Sequence, residues 1–326
     1  MSEKRVSIAM ATYQGGAHLN KQLNSLLAQE HLPAELVVCD DGSTDDTLVI
    51  LEQFATRAAF PVHIHRNQKN IGYIENFFKA ARLCTSEYIA FCDQDDIWAP
   101  SKISEAVSAL NDPQCWMHSH DARLIDENDT VKGTFKQCEA EGLLKYNDIS
   151  PWNTFFGFTC TFRRELLDQF NSQQRPVDLI DPKQRLAHDR WITMLAMLLN
   201  GVVHTHLPLA DYRQHSKNIY GARKRNIIAD IKKIKPKYRE YLYKRYNISE
   251  KFSKIIINME KSGFYISNEK KHFWKRQEFN LSKRMMMIDR KMPKSLIYLI
   301  KNIFSGVYGV NENKQIFEDI LAIMIL

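Results

Sequence analysis

Four short apolar runs alternate with three stretches of helical periodicity over the first 92 residues, and few folds accept that pattern. Val6-Ser7-Ile8-Ala9-Met10, Leu36-Val37-Val38-Cys39, Val62-His63-Ile64-His65 and Tyr88-Ile89-Ala90-Phe91-Cys92 have the length and residue types of strands. Between them Leu19, Leu23, Leu26 and Leu27 recur at helical spacing, then Leu48, Leu51, Phe54 and Ala55, then Ile74, Phe77, Phe78 and Ala81. Thr44 is placed to cap the second helix, and Asn70 with Gly72 to cap a third that starts at Ile71. This alternation specifies an α/β sandwich around a largely parallel sheet. In such sheets ligands bind beyond the carboxyl ends of the strands. Three segments fall there: Thr12-Tyr13, Asp40-Asp41 and Asp93-Gln94-Asp95-Asp96.

The third segment crowds three carboxylates into four positions, where like charges repel. Two readings stand: an acidic loop or helix start, or a divalent cation held by hard oxygens, with a phosphate-bearing substrate completing its shell. Asp189 opens an apolar helical run to Leu199, where it either favours the helix dipole or serves as a general base. Arg66, after the third strand, either reaches a diphosphate or lies in solvent. Trp98 and Trp152 are sugar-stacking platforms or core residues. His118, His120 and Asp121, at the end of a fifth strand over residues 115–120, contact a ligand or serve the fold. Gly15-Gly16 is a thin version of a nucleotidyltransferase phosphate loop. Residues 126–150 read as irregular polar chain, 155–162 as β-rich, 163–170 as a helix and 202–206 as a last strand.

Charge divides the chain. Residues 1–222 carry 21 Lys and Arg against 28 Asp and Glu, whereas residues 223–301 carry 23 against 7. We expect a catalytic α/β domain over 1–222 and a basic region of amphipathic helices over 223–326. A basic segment suits a polyanionic partner. The alternatives are an anionic membrane surface, a solvated helical subdomain with its own core, and nucleic acid. Tyr and Trp set among Lys favour the membrane surface, and no nucleic-acid-binding module is recognisable. No apolar run reaches the roughly 18 residues that span a bilayer, and the N-terminus lacks a signal-peptide pattern. The expected location is cytoplasmic, peripheral on the inner face of the membrane. The six Cys lack zinc-site spacing and read as reduced core thiols.

Ala11-Thr12-Tyr13, Asp40-Asp41-Gly42-Ser43-Thr44-Asp45, Asn70-Ile71-Gly72, Asp93-Gln94-Asp95-Asp96 and His188-Asp189-Arg190-Trp191 occur in this order. The set resembles the family 2 glycosyltransferases, which have the GT-A fold and use nucleotide-sugar donors. It covers residues 5–218. The Asp-Gln-Asp-Asp-Ile-Trp wording, with Tyr212-Arg213-Gln214-His215, is similar to bacterial rhamnosyltransferase-like members that build surface polysaccharides. The resemblance implies that Thr12 and Tyr13 line the base pocket and that Asp40 accepts a hydrogen bond from a uridine or thymidine ring N–H. It places Asp93 at the donor, near the ribose or metal. It makes Asp95 a ligand of Mg²⁺ or Mn²⁺, His215 a further metal ligand and Asp189 the general base of an inverting transfer. The Gln that precedes the Arg-Trp pair by two in processive relatives is Ala187 here, which weakens a processive reading. The implied partners are a nucleotide-sugar donor and a saccharide or lipid-linked acceptor. The rival from another class is a catalytically silent scaffold that acts through its basic tail.

Overall fold

The computed structural model describes residues 5–144, 154–169, 172–178, 184–199, 201–214, 234–261 and 263–288, with Leu299, Asn302 and Asp319. The first half runs β1 (Val6–Thr12), α1 (Leu19–Leu27), β2 (Glu35–Asp40), α2 (Thr47–Arg57), β3 (Val62–Arg66), α3 (Tyr73–Leu83) and β4 (Tyr88–Cys92). Then come β5 (Ile97–Trp98), α4 (Lys102–Leu110), β6 (Met117–Ile125), β7 (Val131–Phe135), β8 (Gly142–Leu144), β9 (Thr161–Arg163), α5 (Glu165–Gln169), α6 (His188–Leu199) and β10 (Val202–Arg213). A 3-10 turn, Gly157–Thr159, precedes β9.

These strands form one sheet ordered β3-β2-β1-β4-β9-β6-β10-β5, with β7 on β6 and β8 on β10. β1 to β4 are mutually parallel. β9 runs antiparallel to both β4 and β6, while β6 and β10 are parallel. The sheet is therefore mixed but mostly parallel. Period-two alternation sets its core: Val6, Ile8 and Met10 of β1 share a buried cluster with Leu19, Leu23 and Leu26 of α1 and Leu51 and Phe54 of α2. Register brings the strand ends level, pairing Thr12 with Asp40 and Asp40 with Arg66.

Several local expectations are corrected. Thr44 does not cap α2; Asp45 Oδ1 accepts from Thr47 N at 3.2 Å instead. α3 begins at Tyr73, not Ile71, with Gly72 before it at φ 84°. The stretch read as irregular chain holds β7 and β8; β7 is almost wholly exposed, so it lacks the apolar alternation that betrays a strand. The aromatic run 155–162 is strand only at its end, where β9 begins at Thr161; its middle is the 3-10 turn, whose Phe158 points into the core. The last strand continues well past His206. It passes Pro208 at two register shifts against β6, where the missing N–H costs no ladder bond.

Contacts divide the chain into two units: Met1–Arg175 with Ala187–Gly221, and Pro176–Leu186 with Ala222–Leu326. The second unit contains α7 (Ile234–Lys261) and α8 (Asn268–Ile288). These bury a core of their own, where Phe252 stacks on Trp274 at 4.9 Å between ring centres. Arg284 pairs with Asp319 inside it at 2.9 Å. No helix among the described residues is long and apolar enough to cross a membrane.

Candidate active site

The parallel strands β3, β2 and β1 end at an open cavity of about 520 Å³ lined by Tyr13, Asp41, Gly42, Arg66 and residues 67–70. Tyr13 is half exposed, so its ring is free to stack on a ligand. Arg66 lies on the wall, donating to Ser43 O at 3.1 Å. Thr12 and Asp40 are buried and lie off the wall. Asp40 Oδ1 accepts from Thr12 Oγ1 at 3.0 Å and Ser43 Oγ at 2.5 Å, and Oδ2 from Gly42 N at 3.1 Å and Ser43 N at 2.8 Å. The Asp40 carboxylate thus shapes the loop that floors the cavity. Asp41 does the same for the opposite loop, accepting from Asn67 Nδ2, Ile71 N and Gly72 N at 2.8 to 2.9 Å. The backbone N–H groups ahead of α3 are thereby held by Asp41. Asn70 Oδ1 also accepts from Gly72 N.

Gly15-Gly16 is not a phosphate loop in this structure. Gly15 N donates to Thr47 Oγ1 and Gly16 N to Asp45 Oδ2, each at 2.9 Å. At Gly15 a Cβ would sit 2.2 Å from Gln94 Oε1, so a larger residue there would displace the Gln94 amide. That side chain clamps the Tyr13 backbone at both groups, accepting from its N–H at 2.9 Å and donating to its carbonyl at 3.1 Å. Gln94, the residue between two of the acids, ties the cavity to the acidic loop.

In that loop Asp93 is half-buried and Asp96 fully buried. Burial, then the nearby Asp95 and Asp189 charges, push the Asp93 carboxyl up to about 8. Burial and its two neighbouring aspartates raise Asp96 as well, although it accepts from Arg213 N at 3.1 Å. Asp96 is thus an internal strut. Arg213, itself buried, holds the loop from below: Nε donates to Asp95 O at 2.8 Å, and Nη1 pairs with Asp129 at 2.6 Å.

α6 delivers Asp189 to this place. Its N-terminus abuts the 3-10 turn, since a Cβ on Gly157 would meet His188 Nε2 at 2.6 Å and Asp189 Cβ at 3.6 Å. His188 is a packing residue. It stacks on Phe77 at 4.1 Å, meets Phe91 edge-on, and burial and then Arg175 push it down to about 3. Trp191 is buried behind it. Trp98 is likewise buried, so it is no sugar platform. His118, His120 and Asp121 are also buried; Asp121 Oδ1 lies 3.2 Å from His204 Nε2. Trp152 and His215 lie outside the described residues.

The charges of Asp95 and Asp189 thus both act on Asp93 at the strand edge. That repulsion is what a divalent cation would relieve, and carboxylate oxygens suit Mg²⁺ or Mn²⁺. Among the described residues no three His, Cys, Asp or Glu side chains are placed to cage an ion by themselves. Its other ligands would be waters and the oxygens of a phosphate-bearing ligand.

The match to the family model "Glycosyl transferase family 2" spans residues 7–170, half of the chain. The chain belongs to glycosyl transferase family 2. Among curated family 2 relatives, the dTDP-rhamnosyl transferase RfbG of Shigella flexneri is 34% identical over 65% of this chain and 74% of its own length. The chain spans 60% to 74% of the lengths of three such curated relatives. The S. aureus TarS 1–349 structure with UDP superposes with a TM-score of 0.56 at 15% identity, over 98% of this chain and 90% of that one. The mannosyltransferase PcManGT of Pyrobaculum calidifontis, solved with GDP-Man and Mn²⁺, gives 0.50 at 16% identity over 99% and 86%. The fold is GT-A-like.

Sequence reasoning missed Lys102, Gln94 and the loop-building part of Asp41. Lys102 had a signal: it shares a helix face with Ile103, Ala106 and Leu110, all buried. A lysine on the apolar face of a helix is out of place unless something inside needs its charge. Gln94 had none, because its partner is a backbone 81 residues away.

Proposed function

We propose that the chain is an inverting, metal-dependent glycosyltransferase. It moves a sugar, rhamnose or another hexose, from a UDP- or dTDP-sugar to a saccharide or lipid-linked acceptor in surface-polysaccharide assembly. The observation that carries this reading is the acidic loop, where the charges of Asp95 and Asp189 act on Asp93, tied through Gln94 to Tyr13 of the cavity that Arg66 also lines. Tyr13 stacks on the base and Arg66 faces the diphosphate. Asp40, with Thr12, acts on the donor by fixing the 42–43 loop. Asp93 and Asp95 would hold Mg²⁺ or Mn²⁺ with the donor phosphates, and His215 is assigned as a further ligand. The ion, when bound, supplies Lewis-acid neutralisation of the departing diphosphate. Asp189 takes the proton of the attacking acceptor hydroxyl, on the face of the sugar opposite the leaving group. A dTDP-sugar is supported by the RfbG relative, and a uridine donor by the UDP complex of TarS.

The basic helical unit would lie peripherally on the anionic inner face of the cell membrane, where each Lys or Arg contributes about 1 kcal/mol. Co-sedimentation with phosphatidylglycerol vesicles at low salt tests this, and a protein left in the supernatant refutes it. The donor reading is tested by a thermal-shift screen of UDP- and dTDP-sugars with and without Mn²⁺. A ligand bound only by the folded state raises the midpoint. The expected result is a Mn²⁺-dependent rise with one nucleotide class. No rise, and no release of nucleoside diphosphate from any donor, would favour the silent scaffold.

A further inference from the structure

Lys102 is 1% exposed, near the start of α4. Buried charge persists in proteins only where it is paired or hydrogen-bonded. Its Nζ donates to Phe158 O at 2.5 Å and to His120 Nε2 at 2.7 Å, and lies 4.2 Å from the Trp98 ring centre. These contacts determine the imidazole tautomer. An ammonium has only protons to give, so Nε2 accepts and Nδ1 carries the hydrogen. Nδ1 then donates to Asp121 O at 2.7 Å. One side chain thereby joins α4, β6 and the 3-10 turn.

The turn matters because of what stands against it. Phe158 is its middle residue, and its first, Gly157, packs against the start of α6, closest to His188 and then to Asp189 Cβ. Internal bonds from Thr159 N to Phe156 O and Cys160 N to Gly157 O keep the turn closed, and Phe91 N donates to Cys160 O. None of these reaches across to α4; Lys102 does. Its charge also acts favourably on both Asp93 and Asp96.

We infer that Lys102 is a positioning residue, whose buried ammonium holds the Gly157–Thr159 turn, and through it Asp189, in register with the acidic loop. Its effect on turnover rests on the glycosyl-transfer reading; its hold on the turn does not. A simple stabilising strut would also be buried and bonded, so the test separates local from general effects. Lys102→Met keeps the stem volume and removes the charge.

Hydrogen–deuterium exchange on the full chain should rise about tenfold over residues 154–163 and 188–193 in Lys102→Met, with β1 and β2 unchanged. In kinetics, kcat should fall about tenfold or more while the donor KM moves less than about threefold. Unchanged exchange over both segments overturns the inference, as does a uniform rise across the N-terminal unit. If Lys102→Met does not fold, His120→Ala, which leaves the charge and removes one acceptor, should loosen the same two segments to a lesser degree. Unchanged exchange there overturns the inference too. A wild-type chain that turns over no donor breaks the transfer reading alone, and exchange still decides whether Lys102 holds the turn.

Discussion

Two groups of aspartates occupy the same strand edge and are used in opposite ways. Under β1 to β3, Asp40 and Asp41 spend their oxygens on their own surroundings, seven hydrogen bonds in all, mostly from loop N–H groups. After β4, Asp93 has burial and the charges of Asp95 and Asp189 against it. The first pair is satisfied and builds walls. In the second group Arg213 holds the loop through Asp95 O and Asp96, and the Lys102 charge acts favourably on Asp93 and Asp96. The difference teaches that residue type alone does not assign function at this edge; the surroundings of each carboxylate do. A carboxylate that builds its own loop has little left for a ligand, whereas one pressed by burial and like charge, as Asp93 is, gains from binding a cation.

The comparison breaks most sharply at Asp189. Replacing it with Asn should lower transfer by about 10²- to 10⁴-fold, the usual worth of a general base. Affinity for UDP or dTDP should stay within about threefold by calorimetry, and full transfer activity would remove the base assignment. Asp95→Ala should abolish the Mn²⁺-dependent part of nucleotide binding; unchanged metal dependence would count against Asp95 as a ligand. On the satisfied side, Asp41→Ala strands the Ile71 N–H and one Asn67 amide hydrogen and leaves Gly72 N only its bond to Asn70 Oδ1. It should cost about 2–3 kcal/mol of stability in a thermal or urea scan. A loss below about 0.5 kcal/mol would show that water replaces the carboxylate there.

Acidity gives the group after β4 a signature of its own. The Asp93 carboxyl is raised to about 8, above its unfolded value near 4. The folded chain therefore holds a proton the unfolded one releases, and stability falls as pH rises between those values. Metal-free protein should lose midpoint temperature from pH 5 to pH 8 more steeply than Asp93→Asn, and equal slopes would dismiss the strain. The smallest effect belongs to the clamp between the groups. Gly15→Ala should cost about 1 kcal/mol by displacing the Gln94 amide. Adding Gln94→Ala should bring little further loss, because both changes remove the same contact.

The α/β alternation of the first 92 residues was legible because apolar periodicity is local: Val6, Ile8 and Met10 announce a strand without help from distant chain. β7 was not, since an exposed strand such as Val131–Phe135 is defined by its partner β6 rather than its own pattern. The long β10 was hidden by Pro208 for the same reason. In the site, Asp93, Asp95 and Asp189 stand out in the sequence as acids after the fourth strand and at the start of a later helix. That Asp40 is consumed by its loop, and that Asp96 is a strut, was not visible, because both depend on which N–H groups arrive from elsewhere.

The sequence alone thus determined the parallel half of the sheet, the basic C-terminal region and the acids at the strand ends. Each is encoded in short-range pattern or in composition. The tertiary structure decided what those acids do. It brought Asp189 to Asp93 across almost a hundred residues, closed Gln94 on Tyr13, and set Lys102 beneath the turn that packs against the start of α6. These are long-range meetings of charge and hydrogen-bond partner, and their energies exist only once the chain has excluded water around them.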